Sequence, residues 1–231
     1  MKKRTAVAVA ASLMFVGCTR SAEGQMPTPA MISDALPTIT DMPGDWRETQ
    51  RQAFVMRGPE NPSIDPSVWC PAAAMATGNL VELAGGAGAD VEMQFTGTSS
   101  GSRLMRLQGW ANDNAAEYYA DAKEAVHICD GTTTTDESGA VTATDIIKSR
   151  DIGDESISRA ETTTPPEGTQ KDKMEWISRT TIARFGAIIM VMQIGDAAPT
   201  GAGELMNEDD WWSIVELAGK KLHDLDKQVH T

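Results

Sequence analysis

Histidine and cysteine are scarce in this sequence, with three of each among 231 residues. A chain of this size buries most of its unfolded surface, so it can fold without a structural metal or many disulfides. No triad can be assembled around His127, His223 or His230, and His127-Ile128-Cys129 lacks the ligand spacing of a zinc site. We therefore predict a chain that is not an enzyme, with no catalytic residues, no metal site and no cofactor.

Positively charged residues are also few. The chain has 20 Lys and Arg residues against 33 Asp and Glu residues, which gives a formal net charge of −13. Such a field repels the phosphates of nucleic acids and anionic lipid headgroups. This balance excludes nucleic acid as a partner.

The first apolar run is too short to cross a membrane. Lys2, Lys3 and Arg4 precede a run of about eleven residues, Ala6–Val16, whereas a spanning helix needs about 20. Gly17-Cys18 follows, which is the layout of a bacterial lipoprotein signal peptide. We predict cleavage before Cys18, palmitate or another acyl chain on Cys18, and a location on the extracytoplasmic face of the cell membrane.

The lipid prediction leaves Cys70 and Cys129 as a pair. Compartments outside the cytoplasm do not keep thiols reduced, so the pair predicts a disulfide bond. Closing a loop of about 59 residues would stabilise the fold by roughly 3–4 kcal/mol. Two buried free thiols are the alternative.

We find no internal repeat and no second domain boundary. The sequence is divided into a signal peptide (1–17), a lipidated tether of small, polar and proline residues (18–33) and one globular domain (34–231).

Periodicity predicts an α+β fold in which helices cover an antiparallel sheet of six or seven strands. Strands are predicted at 46–56, 90–96, 102–110, 141–149, 157–161, 173–184 and 187–194, and residues 131–138 form either a turn or a poor strand. Ile188–Met192 is apolar on both faces, which indicates a central strand. Helices are predicted from Pro71, from Asn112 or Asp113 to Cys129, and after Asn207, with a short one at 32–36 capped by Ser33.

Gly97-Thr98-Ser99-Ser100-Gly101 matches the G-x-S-x-G nucleophile elbow. That elbow requires a strand–turn–helix context, whereas this pentapeptide joins two predicted strands. We interpret it as a hairpin turn, and a surface hydrolase that uses Ser99 is the alternative. Asp151, Asp154 and Glu155 lack the spacing of a calcium loop, so we interpret them as a solvated acidic turn.

Six tryptophans are spread over the predicted elements, and most are expected in the core. Trp211 and Trp212 lie about 100° apart on one helix. One of the two is therefore free to face a groove or the solvent.

The order of these features resembles a known family. Leu36-Pro37, Pro43-Gly44-Asp45-Trp46, the paired cysteines, the Gly153–Ser156 turn, two long closing strands and a terminal helix resemble the sensor-domain lipoproteins of actinobacteria. These are similar to the extracellular sensor domain of PknH-type receptor kinases and to LpqN-type lipoproteins. The resemblance implies a PsbP-like α/β/α sandwich and a non-enzymatic module that binds a small ligand or a partner protein. A purely structural envelope lipoprotein is a further alternative.

The chain departs from that family at two points. PknH-type sensor domains carry two disulfides, and this chain can form only one. Phe15 stands where lipoprotein signal peptides usually have leucine.

Overall fold

The computed structural model describes residues 25–56, 86–96, 103–166, 168, 174–199 and 208–231. Within these ranges the helices are α1 (Pro29–Ala35), α2 (Ala115–Cys129) and α3 (Glu208–Val229), and a single 3-10 turn occupies Ile39–Asp41. The strands are β1 (Trp46–Met56), β2 (Gly86–Phe95), β3 (Leu104–Ala111), β4 (Thr132–Thr135), β5 (Val141–Ile147), β6 (Glu155–Thr164), β7 (Met174–Phe185) and β8 (Ile188–Pro199). Among these described residues, no helix is long and apolar enough to cross a membrane.

All eight strands join one antiparallel sheet in the order β1-β2-β3-β8-β7-β6-β5-β4. The predicted α+β class is therefore confirmed. The sheet has one strand more than predicted because Thr132–Thr135 pairs with β5 as a short edge strand. β8 lies between β3 and β7, and its residues Ile188–Met192 are buried on both sides, as predicted for a central strand.

The two faces of the sheet have different coverings. Face A is the side that carries Val91, Leu107 and Met190, and α1 and α3 pack against it. Alternate residues of β2, β3, β7 and β8 join the two helices in one continuous apolar core there. The fully buried side chains of this core include Ile32, Leu36, Met93, Met105, Phe185, Ile188, Trp211 and Leu222.

Face B is the opposite side, which carries Asp90, Gln108 and Val191. Helix α2 packs against its β5, β7 and β8 portion. A smaller apolar cluster lies beneath this helix, formed by Trp110, Ala115, Tyr118, Tyr119, Ala122, Ala125, Val126, Ile157, Ile182, Ile189 and Val191. The helix predicted to end at Cys129 is thus confirmed, and Cys129 lies buried at its end.

Helix α1 is fastened to face A by side chains from distant elements. Arg51 of β1 donates to the carbonyl oxygens of Ser33 and Pro37 at 2.6 and 2.7 Å. Lys221 of α3 pairs with Asp41 at 2.7 Å, just after α1. Gly109 of β3 leaves space for Ile32, because an added Cβ would lie 2.9 Å from its Cγ2 atom. The first helix is therefore an integral part of the core.

Several predicted boundaries differ from the structure. The cap of α1 is Thr28, whose hydroxyl accepts from the backbone N–H of Met31, and the predicted cap Ser33 is buried inside the helix. Folded structure therefore begins before residue 34. The strand predicted at 187–194 extends to Pro199, because Met174–Ile177 of β7 supplies the ladder partners of residues 196–199. The helix predicted from Pro71 lies outside the described residues.

Candidate functional site

Five polar side chains form a continuous row across face B. Strand register places them side by side on β2, β3, β8, β7 and β6, in the order Glu92, Arg106, Gln193, Thr180 and Arg159. We call this set the polar row. No two of its residues are closer than 13 positions in the sequence, so only the pairing of five strands brings them together.

Arg106 neutralises a buried carboxylate beside the polar row. Its Nε atom donates to Asp90 Oδ2 at 2.9 Å, and the Asp90 side chain is 1% exposed. The hydrogen bonds to Asp90 raise the pKa of Arg106, burial opposes them, and the charges of Asp90 and Glu92 raise it further. Arg106 therefore remains a cation with one carboxylate bound and a second, Glu92, nearby.

A second ion pair lies at the other end of the polar row. Arg159 Nη2 is 3.6 Å from Glu161 Oε1, and both side chains are 4% exposed. Ser178 donates to the other oxygen of Glu161 at 3.2 Å. Burial lowers the pKa of Arg159, and the charge of Glu161 opposes that shift. Such a pair adds little to stability, because the loss of hydration offsets the attraction of the charges.

Two adjoining grooves open along face B. The polar groove, of about 300 Å³, is lined by Glu92, Leu104, Met105, Arg106, Trp176, Gln193 and Gly195. The apolar groove, of about 620 Å³, is lined by Ser138, Ala140, Thr163, Pro165, Pro166, Met174, Glu175, Trp176 and Ala197. Trp176 lines both, and we call the two together the joint groove. Its size is within the range of small-molecule sites.

Trp176 owes its position to a glycine on the next strand. An added Cβ on Gly195 would lie 2.6 Å from Cζ2 of the indole, so the ring lies across the backbone of β8. The Trp176 residue is 40% exposed. Leu104 and Met174, which line the two grooves, are also large exposed hydrophobic residues. A group of exposed apolar side chains around a cavity is a common mark of a binding site.

The sequence-based site residues fall elsewhere. Cys18, Cys70 and Ser99 lie outside the described residues, so the lipid, the Cys70–Cys129 disulfide and the hydrolase alternative stay predictions. None of the three histidines, all in the described part of the chain, lines the joint groove: His127 is exposed on α2, His223 packs near Phe185 and His230 bonds to the backbone of Asp226.

Two tryptophans suspected of facing a groove are core residues. Trp211 and Trp212 are 0% and 1% exposed, so that alternative is wrong for both. The helix turns one toward the sheet and the other toward Arg150, whose guanidinium lies 5.6 Å from the ring of Trp212. The tryptophan at the groove is Trp176, and periodicity gave no signal for it, because whether Trp176 is covered depends on the strands beside it.

The acidic turn before β6 is engaged by an arginine. Asp154 lies 3.1 Å from Arg184, and Glu155 lies 3.3 Å from the same side chain. Asp154 also accepts from the backbone N–H of Gly186 at 2.8 Å, in the β7–β8 turn. These two carboxylates therefore hold two turns together.

Comparison with known proteins places the fold. No protein-family model matches the chain, and no curated protein is similar to it in sequence. Among solved structures, the chain is similar to the extracellular domain of PknH from Mycobacterium tuberculosis, with a TM-score of 0.56 and 12% identity. The match covers 89% of this chain and 99% of that domain. At this identity the similarity shows the fold, and it confirms the predicted resemblance to PknH-type sensor domains.

Proposed function

We propose that this chain is a non-enzymatic binding module of the cell envelope, anchored at the extracytoplasmic face of the membrane by lipid on Cys18. Its ligand is a small molecule bound in the joint groove of face B. The observation that carries the proposal is Trp176, a large apolar side chain left partly exposed at the point where two grooves meet.

The composition of face B supports this function. Buried ion pairs can often be replaced by apolar residues of similar volume with no loss of stability. Face B nevertheless keeps Asp90 with Arg106 and Arg159 with Glu161 beside the groove. Of these side chains Arg106 lines the polar groove, and Asp90 holds it there. A fixed polar group at the wall of a cavity is typical of a site that orients a ligand.

The leader and the fold support the location. Basic residues, a short apolar run and Cys18 follow the order of a lipoprotein signal peptide. The similar structure is itself the extracellular domain of PknH. Both agree with a domain that faces away from the cytoplasm.

Binding can be tested with prodan, an uncharged naphthalene dye whose fluorescence rises in apolar surroundings. We expect it to bind the full chain and to lose about tenfold in affinity in Trp176→Ala, because the ring supplies the largest apolar contact of the groove. Ile128→Ala is the matched control, since Ile128 is 42% exposed on α2, outside the residues that line the joint groove. Equal affinity in all three proteins would rule out the joint groove as the binding site.

The anchor can be tested by fractionation. We expect Cys18→Ala to move the protein from the membrane to the soluble fraction, because one cysteine carries the proposed lipid. Retention of the variant in the membrane fraction would contradict lipidation at this residue. The disulfide is tested by mass analysis without reductant, where a linked Cys70–Cys129 peptide is expected and free thiols at both would overturn it.

A further inference from the structure

Glu92 has a carboxylate that no described side chain binds directly. It lines the polar groove in a half-buried position, and within the described residues its side chain forms no hydrogen bond or ion pair. The neighbouring cation, Arg106, is already bound by Asp90 through both its Nε and Nη2 atoms. An anionic acceptor is therefore available at the wall of a cavity.

Gln193 supplies a second polar group beside it. Register places Arg106 between Glu92 on one side and Gln193 on the other, and both line the polar groove. The Gln193 side chain is half-buried and has no partner among the described residues. The next residue of the polar row, Thr180, is 1% exposed, and its hydroxyl lacks a hydrogen-bond partner in the same part of the structure. Glu92 and Gln193 offer acceptors for a donor that enters from the groove.

The charge around the polar groove favours a positive ligand. Asp90 and Glu92 carry two negative charges against the one positive charge of Arg106, and Arg159 balances Glu161. The chain as a whole has a net charge of −13, which attracts cations and repels anions. An anionic ligand at this position would meet an unpaired carboxylate.

The distance from Glu92 to the indole sets the size of the ligand. Gly195, beneath the Trp176 ring, lies two strands and two residues away from Glu92 in the sheet. Strand spacing and rise place the Cα atoms of Glu92 and Gly195 about 12 Å apart. The Glu92 side chain covers part of that distance. A charged group joined to a ring by a few methylene groups covers the rest.

We propose, building on the binding function assigned above, that the joint groove takes a cationic amphiphile: an ammonium group paired with Glu92, joined by a short linker to an apolar or aromatic group packed on Trp176. Aromatic faces and a carboxylate are the two partners that such a ligand requires.

Three probes of one shape and different charge test the proposal. Phenylbutylammonium, phenylbutanol and phenylbutyrate share a ring and a linker and differ in the terminal group. Measured by calorimetry on the full chain, the ammonium ion is expected to bind about fivefold more tightly than the alcohol, and the carboxylate more weakly than either. The preference for the ammonium ion should shrink as salt is added.

Variants then assign the preference to one residue. Glu92→Gln keeps the shape and removes the charge, so we expect it to bring the ammonium ion and the alcohol to equal affinity. Glu117→Gln, an exposed site on α2 with the same change of charge, should leave the fivefold ratio unchanged. A ratio that survives in Glu92→Gln, or three probes of equal affinity, would overturn the proposal.

Failure of this proposal is distinguishable from failure of the binding function. If prodan binds through Trp176 but the three probes do not bind or show no preference for the cation, this proposal fails and the binding function stands. The joint groove would then be a binding site for a ligand of different chemistry. Loss of prodan binding together with loss of all three probes removes the groove as a site altogether.

Discussion

Faces A and B of the sheet share eight strands and differ in almost everything else. On β3, Leu107 points to face A and is 0% exposed, whereas Leu104, three residues earlier, points to face B and is 48% exposed. Face A buries one apolar core beneath two helices. Face B has an apolar cluster beneath α2 and a polar row beside it. The main apolar core and the proposed binding surface thus lie on opposite sides of one sheet, so we expect each to be changeable with little effect on the other.

The largest expected effect tests that separation with two leucines of one strand. Leu107→Ala should destabilise the protein by about 2–5 kcal/mol, because it removes a fully buried side chain and leaves a cavity. Leu104→Ala should cost less than about 1 kcal/mol and weaken prodan binding, since it shortens a wall of the polar groove. Denaturant unfolding measures both. Equal losses of stability would show that face B is also a packed core.

Two glycines provide a second matched pair. Gly109→Ala places a Cβ 2.9 Å from Ile32 on face A, where the core is closed, so we expect a loss of about 1–2 kcal/mol. Gly195→Ala pushes against the Trp176 ring, which is free to move outward into the groove. That variant should keep most of its stability and change its affinity for prodan. An unchanged affinity would contradict the placement of Trp176.

The part of face B beneath α2 should be closed to solvent, as face A is. Burial raises the pKa of Tyr119 to about 12, with a smaller upward contribution from Glu155, against about 10 when the chain is unfolded. The folded state therefore keeps a proton that the unfolded state loses, so this stabilisation is complete below pH 10 and is lost as the pH rises toward 12. Between pH 9 and pH 11 the loss is about 1 kcal/mol.

Tyr119→Phe should remove this portion of the alkaline destabilisation. Because the chain has two tyrosines, Tyr118→Phe leaves Tyr119 as the one phenol to follow by ultraviolet absorbance. Titration of that phenol near pH 10 would mean that α2 does not seal its side of face B.

The smallest effect concerns the ion pair that joins α3 to the segment after α1. The hydrogen bond from Lys221 lowers the pKa of Asp41, and so does the backbone N–H of Thr38. Since the folded pKa is the lower one, the stabilisation is present above about pH 4 and is lost as the pH falls through the folded value. Asp41→Asn should cost about 0.5–1 kcal/mol at pH 7 and less at pH 2. A cost that is equal at both pH values would show that charge is not involved.

Local pattern predicted the elements of both faces well. The bounds of β1 are as predicted, and the β2–β3 hairpin, α2 and α3 lie within a few residues of their predicted positions. Alternation and helical spacing are properties of neighbouring residues, so they can be read from one segment alone. The ends of β6 and β8 were missed because Thr162, Thr163 and Asp196–Pro199 pair with β7, whose contribution no local pattern contains.

The candidate site could not be predicted in the same way. Glu92, Arg106 and Gln193 are unremarkable polar residues on the outward side of three separate strands. They become neighbours through the order β2-β3-β8, which depends on the pairing of strands up to about 100 residues apart. Trp176 was not singled out among the six tryptophans because hydrophobicity alone does not reveal which side of a strand stays open. Register, a non-local property, creates the groove.

The fastening of α1 has a mechanical consequence. Any pull on the chain from its N-terminal side reaches the domain through α1, where the carbonyls held by Arg51 and the Asp41–Lys221 pair take the load. These contacts act on face A, beside its apolar core, while the joint groove lies on the other side of the sheet. We therefore expect tension applied at that end to be borne by the core on face A rather than by the groove.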